Sequence, residues 1–156
     1  MNLDKVPEAV RAVNREGVDS ITCGAIALWM HGIVRATEDA DFLIAPNAEN
    51  IERLKRALRS VWEDPSIDGI NAGELLGDDP PIRYGPPDRD LHMDVLTRPG
   101  ETYRCDELEW QFGEIEGVPI RIVTPAQLCR MKRDTLRPRG RGDAEALRQE
   151  FSLPEE

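Results

Sequence analysis

A chain of 156 residues, 40% hydrophobic and 32% charged, is the size of one domain with a core of its own, and this composition excludes a disordered polymer. Its longest uninterrupted apolar run, Ala25 to Met30, is far too short to cross a bilayer, and the charged, helical pattern MNLDKVPEAVRAVN does not read as a secretory leader. The net charge of −10 makes it a poor general nucleic-acid binder, since phosphate attraction dominates such affinity.

Leu3, Val6, Val10 and Val13 recur at helical spacing and predict an opening amphipathic helix that stops near Gly17. Ser20-Ile21-Thr22 is a short strand leading into Gly24-Ala25, and Ala25 to His31 reads as a buried helix closed by Gly32. Ala40 to Ala45 is a strand broken by Pro46-Asn47, with Asn47 capping a helix whose Ile51, Leu54, Leu58 and Val61 face inward. Asn71 to Leu76 reads as a helical turn or two and Ile82-Arg83-Tyr84 as a short strand, between loops at Asp78-Asp79-Pro80-Pro81 and Gly85-Pro86-Pro87. Leu91 to Leu96 is a further strand, and Gln111–Ile115 with Pro119–Val123 forms a hairpin across Glu116-Gly117.

Thr124-Pro125-Ala126-Gln127 carries the signals of a helix start: a capping Thr, Pro at the first position and Gln completing a capping box. Leu128, Met131 and Leu136 supply that helix's apolar contacts. Pro138 and Arg139-Gly140-Arg141-Gly142 interrupt it, and Asp143 caps a last helix with Ala144, Leu147 and Phe151 inward. The whole predicts an α/β (α+β) fold in a single domain, residues 1–156, with a mixed sheet of about four to six strands flanked by helices. Its C-terminal segment, 124–151, is helical and basic.

Cys23, Cys105 and Cys129 are odd in number, far apart and without a CxxC pair, which fits a reduced cytoplasm better than a disulfide framework or a zinc site. Charge is unevenly spread. Between Arg121 and Gly142 seven basic residues face one acid, a local +6, which leaves 13 basic against 29 acidic residues, or −16, elsewhere. That basic segment is either a solvated helix face or a grip for a triphosphate or an RNA end.

The chemistry concentrates in three acids. Side chains alternate along a strand, so Asp39 and Asp41 share one face while Ala40, Phe42 and Ile44 share the other. Asp94 lies in the middle of another apolar strand, where a lone carboxylate is costly unless it is paired or binds a metal. Three carboxylates converging repel one another unless a cation stands between them, and hard ions such as Mg²⁺ take carboxylate and phosphate oxygens. Capping of loops and pairing with surface arginines are the alternatives.

These residues resemble the nucleotidyltransferase superfamily of the DNA polymerase beta type, in which a Gly-Ser or Gly-Gly turn precedes a DxD strand and a third carboxylate arrives on a later strand. The turn here is Gly24-Ala25, the pair Asp39 and Asp41, and the third acid Asp94. The fuller string GAIALWMHGIVRATEDADFLI is similar to small bacterial members of the abortive-infection toxin type. Those carry an Arg-x-Thr-x-Asp-x-Asp run, matched by Arg35, Thr37, Asp39 and Asp41, and a late Lys/Arg-rich helix followed by an Asp, matched loosely by Lys132 to Asp143. Ala25 stands where the family usually has Ser or Gly, which leaves anion contact there to backbone N–H groups.

The resemblance implies a nucleotidyltransferase-like fold and a metal-dependent enzyme that moves a nucleoside monophosphate from an NTP to a hydroxyl or phosphate acceptor. It implies that Asp39, Asp41 and Asp94 are both the catalytic residues and the ligands of two Mg²⁺ ions. Gly24, Ala25, Arg35, Thr37 and Lys132 would contact the nucleotide, with Lys132 first among the groups that neutralise pyrophosphate and Arg133 and Arg137 behind it. The acceptors implied are a tRNA end, a protein side chain or a cationic small molecule, and the setting a toxin–antitoxin pair with a partner protein. A reading of another class is a non-catalytic antitoxin or binding module that keeps the acid pair as a relic or uses it only to hold a metal. A third is a metal-dependent phosphohydrolase using the same carboxylates.

Several residues stay open between two roles. Arg35 reaches the phosphates or pairs with Glu38 or another acid. Thr37 touches the metal site or starts the strand. His31 belongs to the helix end, with nucleotide contact as its alternative; His92 is structural, or else tunes Asp94 or lines the acceptor site. Trp29 is expected in the core, while Trp62 and Trp110 are candidates for stacking on a base.

Overall fold

In the computed structural model, which describes residues 5–35, 39–75, 82–85, 92–97, 103, 105–135 and 138–155, the first apolar stripe is realised as α1 (Lys5–Arg15). Its Val6, Ala9, Val10 and Val13 are buried; Leu3 lies outside the described residues. The short strand β1 (Ser20–Cys23) runs into α2 (Gly24–Met30), and β2 (Asp39–Ile44) returns antiparallel to β1 with Ile21 opposite Leu43. Asn47 caps α3 (Ala48–Val61) by accepting the Asn50 N–H at 2.8 Å. Buried Asn50 then ties the neighbouring turns together, accepting from the Asp19 N–H at 2.7 Å and donating to the carbonyls of Asp19 and Ala45.

After the one-turn helix α4 (Ala72–Leu75) come β3 (Ile82–Tyr84) and β4 (His92–Leu96), then the hairpin of β5 (Trp110–Ile115) and β6 (Val118–Val123). Among the described residues these form one mixed six-stranded sheet in the order β3-β4-β2-β1-β6-β5. β2 is parallel to β4 and β1 to β6; the other neighbours are antiparallel. Leu76, Leu91 and the loops at 78–81 and 86–87 lie outside the described residues, as does Leu136.

Strand alternation divides the core. Ala40, Phe42 and Ile44 pack with Val6, Val10, Ile51 and Leu58 in one cluster, whereas Leu43 joins Ala27, Leu28, Leu128 and Leu147 in another. Asp39 and Asp41 alternate with the first set, so their side chains leave the sheet on the side of Leu43.

The C-terminal helices, α5 (Pro125–Arg133) and α6 (Pro138–Glu150), differ from expectation at three points. Thr124 caps α5 by accepting the Gln127 N–H at 3.2 Å, but the reciprocal half of a capping box is missing. The Thr124 N–H is already bonded to the Glu109 carbonyl at 3.0 Å, and the Gln127 side chain turns to the Glu109 N–H instead. Asp143 is no cap: α6 starts at Pro138, and Asp143 is buried inside it. Proline is tolerated in a first turn, and Gly140 lets α6 close on the end of α5, where a Cβ would overlap Thr135 Oγ1 and stand 3.1 Å from the Lys132 carbonyl oxygen. Phe151, expected inward, is 38% exposed just past the helix end. No helix among the described residues is long and apolar enough to cross a membrane.

Candidate active site

Parallel pairing of β2 with β4 sets Asp41 opposite Asp94 and Asp39 opposite His92. Residues in register on neighbouring strands project to the same face, so three carboxylates from two strands meet on one side of the sheet. β1 supplies the floor. Cys23 is the ladder partner of Asp41, and the next residue, Gly24, lies so close to the Asp41 carboxylate that a Cβ there would overlap Oδ2. Gly24 also adopts φ +66, in the left-handed region that favours glycine. The turn from β1 into α2 thus leaves open the space that Asp41 fills.

Cations compensate this charge. Arg83, opposite Asp94 in the β3–β4 ladder, holds it with both arms of the guanidinium, Nε to Oδ1 at 2.9 Å and Nη2 to Oδ2 at 3.1 Å. The same Nη2 reaches Asp39 Oδ2 at 3.4 Å. His92 Nδ1 lies 3.9 Å from Asp39 Oδ1. At Asp41, burial and then the neighbouring Asp94 and Asp39 push the carboxyl up to about 6, with Lys132 and Arg83 acting in the opposite direction.

Lys132, near the end of α5, belongs to a second group. Its Nζ lies 3.8 Å from Oδ2 of buried Asp143, whose Oδ1 accepts from Arg35 Nε at 2.6 Å. Asp143 therefore draws Arg35 and Lys132 together from α5 and the segment after α2.

Of the residues singled out in the sequence, Gly24, Asp39, Asp41 and Asp94 come together directly, and Lys132 is near enough for its charge to act on Asp41. Ala25 is half-buried at the second position of α2. Arg35 takes the pairing alternative, with Asp143 as the acid. Thr37 lies outside the described residues, as do Glu38 and Arg137. His31 is fixed at the helix end, with Nε2 2.8 Å from the Val123 carbonyl oxygen and its ring edge-on to Phe151.

The tryptophans distribute otherwise than expected. Trp29 is 41% exposed rather than in the core, whereas Trp62 is 6% exposed and packs edge-on against Tyr84, which removes it as a base-stacking platform. Trp110 stays on the surface, edge-on to Phe112 and covered by the Arg121 guanidinium.

Sequence reasoning missed Arg83 and gave Asp143 the wrong role. The sequence offered only half of the signal for Arg83, a basic residue between apolar neighbours on a short strand; the β3–β4 pairing that sets it opposite Asp94 supplies the other half.

The family model described as nucleotidyl transferase AbiEii toxin, type IV toxin–antitoxin system, matches residues 23–146. The chain belongs to this family. A comparison with curated proteins gives no match. The matched span of the AbiEii family runs from the turn at Gly24 to α6, so every group of the site just described, Arg83 and Asp143 included, falls inside it.

A divalent ion, which such transferases imply, suits this donor set. All three acids offer hard carboxylate oxygens on one face of the sheet, with Asp41 opposite Asp94 and its carboxyl raised first by burial and then by the neighbouring acids. Among the described residues no three His, Cys, Asp or Glu side chains already converge on one ion position. Arg83 grips both oxygens of Asp94 there.

Proposed function

We propose that this AbiEii-family chain transfers a nucleoside monophosphate from an NTP to a hydroxyl or phosphate acceptor on a tRNA end, a protein or a cationic small molecule. We place it as the toxin of a toxin–antitoxin pair, with an antitoxin protein encoded as its counterpart, acting in the cytoplasm. The observation that carries this reading is the in-register meeting of Asp41 and Asp94, with Asp39 on the same face and Gly24 beneath.

Asp39 and Asp41 would hold Mg²⁺ on the triphosphate, and Asp94 would join them for a second ion. Bound there, Mg²⁺ would supply Lewis-acid stabilisation of the charge on the attacking and leaving oxygens of the displacement. Asp94 accepts the proton of the acceptor hydroxyl as that hydroxyl's oxygen bonds to the α-phosphorus, and the bond from that phosphorus to the pyrophosphate oxygen breaks. Lys132 meets the charge of the departing pyrophosphate, held in place with Arg35 by Asp143. Gly24 leaves the space beside the β1–α2 turn that the Asp41 carboxylate occupies, which holds that acid in the site.

Thermal unfolding with each of the four NTPs, with and without Mg²⁺, tests the reading on the wild type and on Asp41→Asn. A ligand that binds only the native state adds about 2.7 kcal/mol at a hundredfold excess over its dissociation constant. At least one NTP should stabilise the wild type in a Mg²⁺-dependent way and fail to stabilise Asp41→Asn. No response to any NTP would overturn the assignment.

A further inference from the structure

We propose that Arg83 gates metal entry: it competes with the divalent ion for Asp94, so the ion binds tightly only together with a triphosphate that offers the displaced guanidinium a new anion. This rests on the reading of the three carboxylates as a metal–nucleotide site.

Both oxygens of Asp94 are already taken. Arg83 engages both oxygens of Asp94 at 2.9 and 3.1 Å and reaches Asp39 at 3.4 Å, so two of the three acids already share one cation. Fork-on-carboxylate pairing is among the stronger hydrogen-bonded arrangements, and a dication brought in beside it meets a like charge. Metal loading therefore requires Arg83 to let go of Asp94.

Arg83 is also free to move. β3 is an edge strand of the sheet, and the Arg83 side chain is 60% exposed. Its strand is anchored by the next residue: Tyr84 is buried, donates its hydroxyl to Asp64 Oδ2 at 2.9 Å and packs on Trp62. The guanidinium can swing while the backbone that carries it stays fixed.

Phosphate is the anion that replaces Asp94 as the partner of Arg83. A guanidinium binds phosphate with the same two-pronged geometry it uses on carboxylate, which an ammonium does not reproduce. A triphosphate arriving with its metal repays the broken Arg83–Asp94 contact; a bare ion does not. Metal and nucleotide then favour each other's binding, and the coupling is reciprocal.

Titration of the full chain with Mn²⁺, following the free ion by its paramagnetic resonance signal, separates the possibilities. Without nucleotide, Arg83→Gln should bind Mn²⁺ about tenfold more tightly than the wild type, with Arg83→Lys between them. With a mixture of the four α,β-methylene NTP analogues, the wild type should close most of that gap. Equal or weaker Mn²⁺ binding by Arg83→Gln, alongside binding that Asp41→Asn abolishes, would overturn the gate and leave the metal–nucleotide site standing. Absence of any Asp41-dependent Mn²⁺ binding, with or without the analogues, would overturn both. Near-ultraviolet circular dichroism of Arg83→Gln matching the wild type excludes misfolding as the cause of a negative result.

Discussion

The carboxylate of Asp41 lies against the backbone of Gly24, so that a methyl group on Gly24 would overlap Oδ2 and stand 2.8 Å from Cγ. The contact arises because Cys23 and Asp41 are ladder partners of antiparallel strands, which brings the first residue of α2 beside the middle of β2. One residue thus meets two demands: a left-handed backbone at φ +66 where strand turns into helix, and no side chain where a carboxylate must sit. Either demand favours glycine; together they exclude everything else.

Gly24→Ala should therefore fail twice. The left-handed conformation alone costs a residue with a Cβ about 1–2 kcal/mol, and the overlap with Asp41 adds to it. Gly17 supplies the comparison, at φ +68 with nothing within 4 Å of the Cβ position. Urea unfolding should find Gly24→Ala less stable than Gly17→Ala by at least about 1 kcal/mol, and only Gly24→Ala should lose Mg²⁺-NTP stabilisation. Equal losses in the two variants would mean that Asp41 moves aside without resistance.

Asp41 also couples stability to pH. Its carboxyl is raised from 3.8 to about 6, chiefly by burial, so the folded chain binds the proton more tightly than the unfolded chain. The stability this contributes is fully present below about 3.8 and is lost as pH rises through about 6. The full effect of two pKa units is about 3 kcal/mol; partial exposure of Asp41 reduces it to about 1–2 kcal/mol. In chelator-containing buffer, Asp41→Asn should melt several degrees above the wild type at pH 7.5 and lose that advantage by pH 4. A constant difference across that range would assign the effect to something other than the charge. The same variant should have no transferase activity, so its added stability and its lost function share one cause.

The sequence rendered the acids legible because strand periodicity is a local property: Asp39 and Asp41 two apart on an apolar strand must share a face, and Asp94 is conspicuous among Met93 and Val95. Arg83 was not legible as a site residue because its meaning depends on which strand β3 pairs with, and the residues between β3 and β4 carry no register signal of their own. Asp143 misled for a physical reason. An Asp after Arg-Gly-Arg-Gly has the local signature of a cap, yet packing against α5 draws Pro138 to Gly142 into the helix despite two glycines that weaken it. Trp29 misled because Gly24 to Met30 is apolar on every face, which leaves no stripe to say which side meets solvent.

Asp143 is expected to matter through the cations it holds. It is buried, and its two oxygens serve Arg35 and Lys132. Asp143→Asn keeps the volume and removes the charge, which should cost about 1.5–3 kcal/mol, the usual worth of hydrogen bonds to charged groups. Because Lys132 is then no longer held towards the site, Mg²⁺-NTP affinity should fall as well, measured by calorimetric titration at a temperature where the variant is folded. Unchanged affinity would show that Lys132 reaches its working position without Asp143.

The three tryptophans offer a test of the packing itself. Trp62 is 6% exposed against Tyr84 and the first core cluster, whereas Trp29 and Trp110 are 41% and 40% exposed. Trp62→Ala should cost about 3–5 kcal/mol, as deletion of a buried aromatic does, and Trp29→Ala no more than about 1–1.5 kcal/mol. Iodide quenching of single-tryptophan variants provides an independent reading, since a charged quencher reaches only exposed indoles. The emission of a chain retaining Trp62 alone should resist quenching, and that of chains retaining Trp29 or Trp110 should not. A protected Trp29 would mean that the far end of α2 is covered in solution, and the orientation of that helix over the Asp41 face would then have to be redrawn.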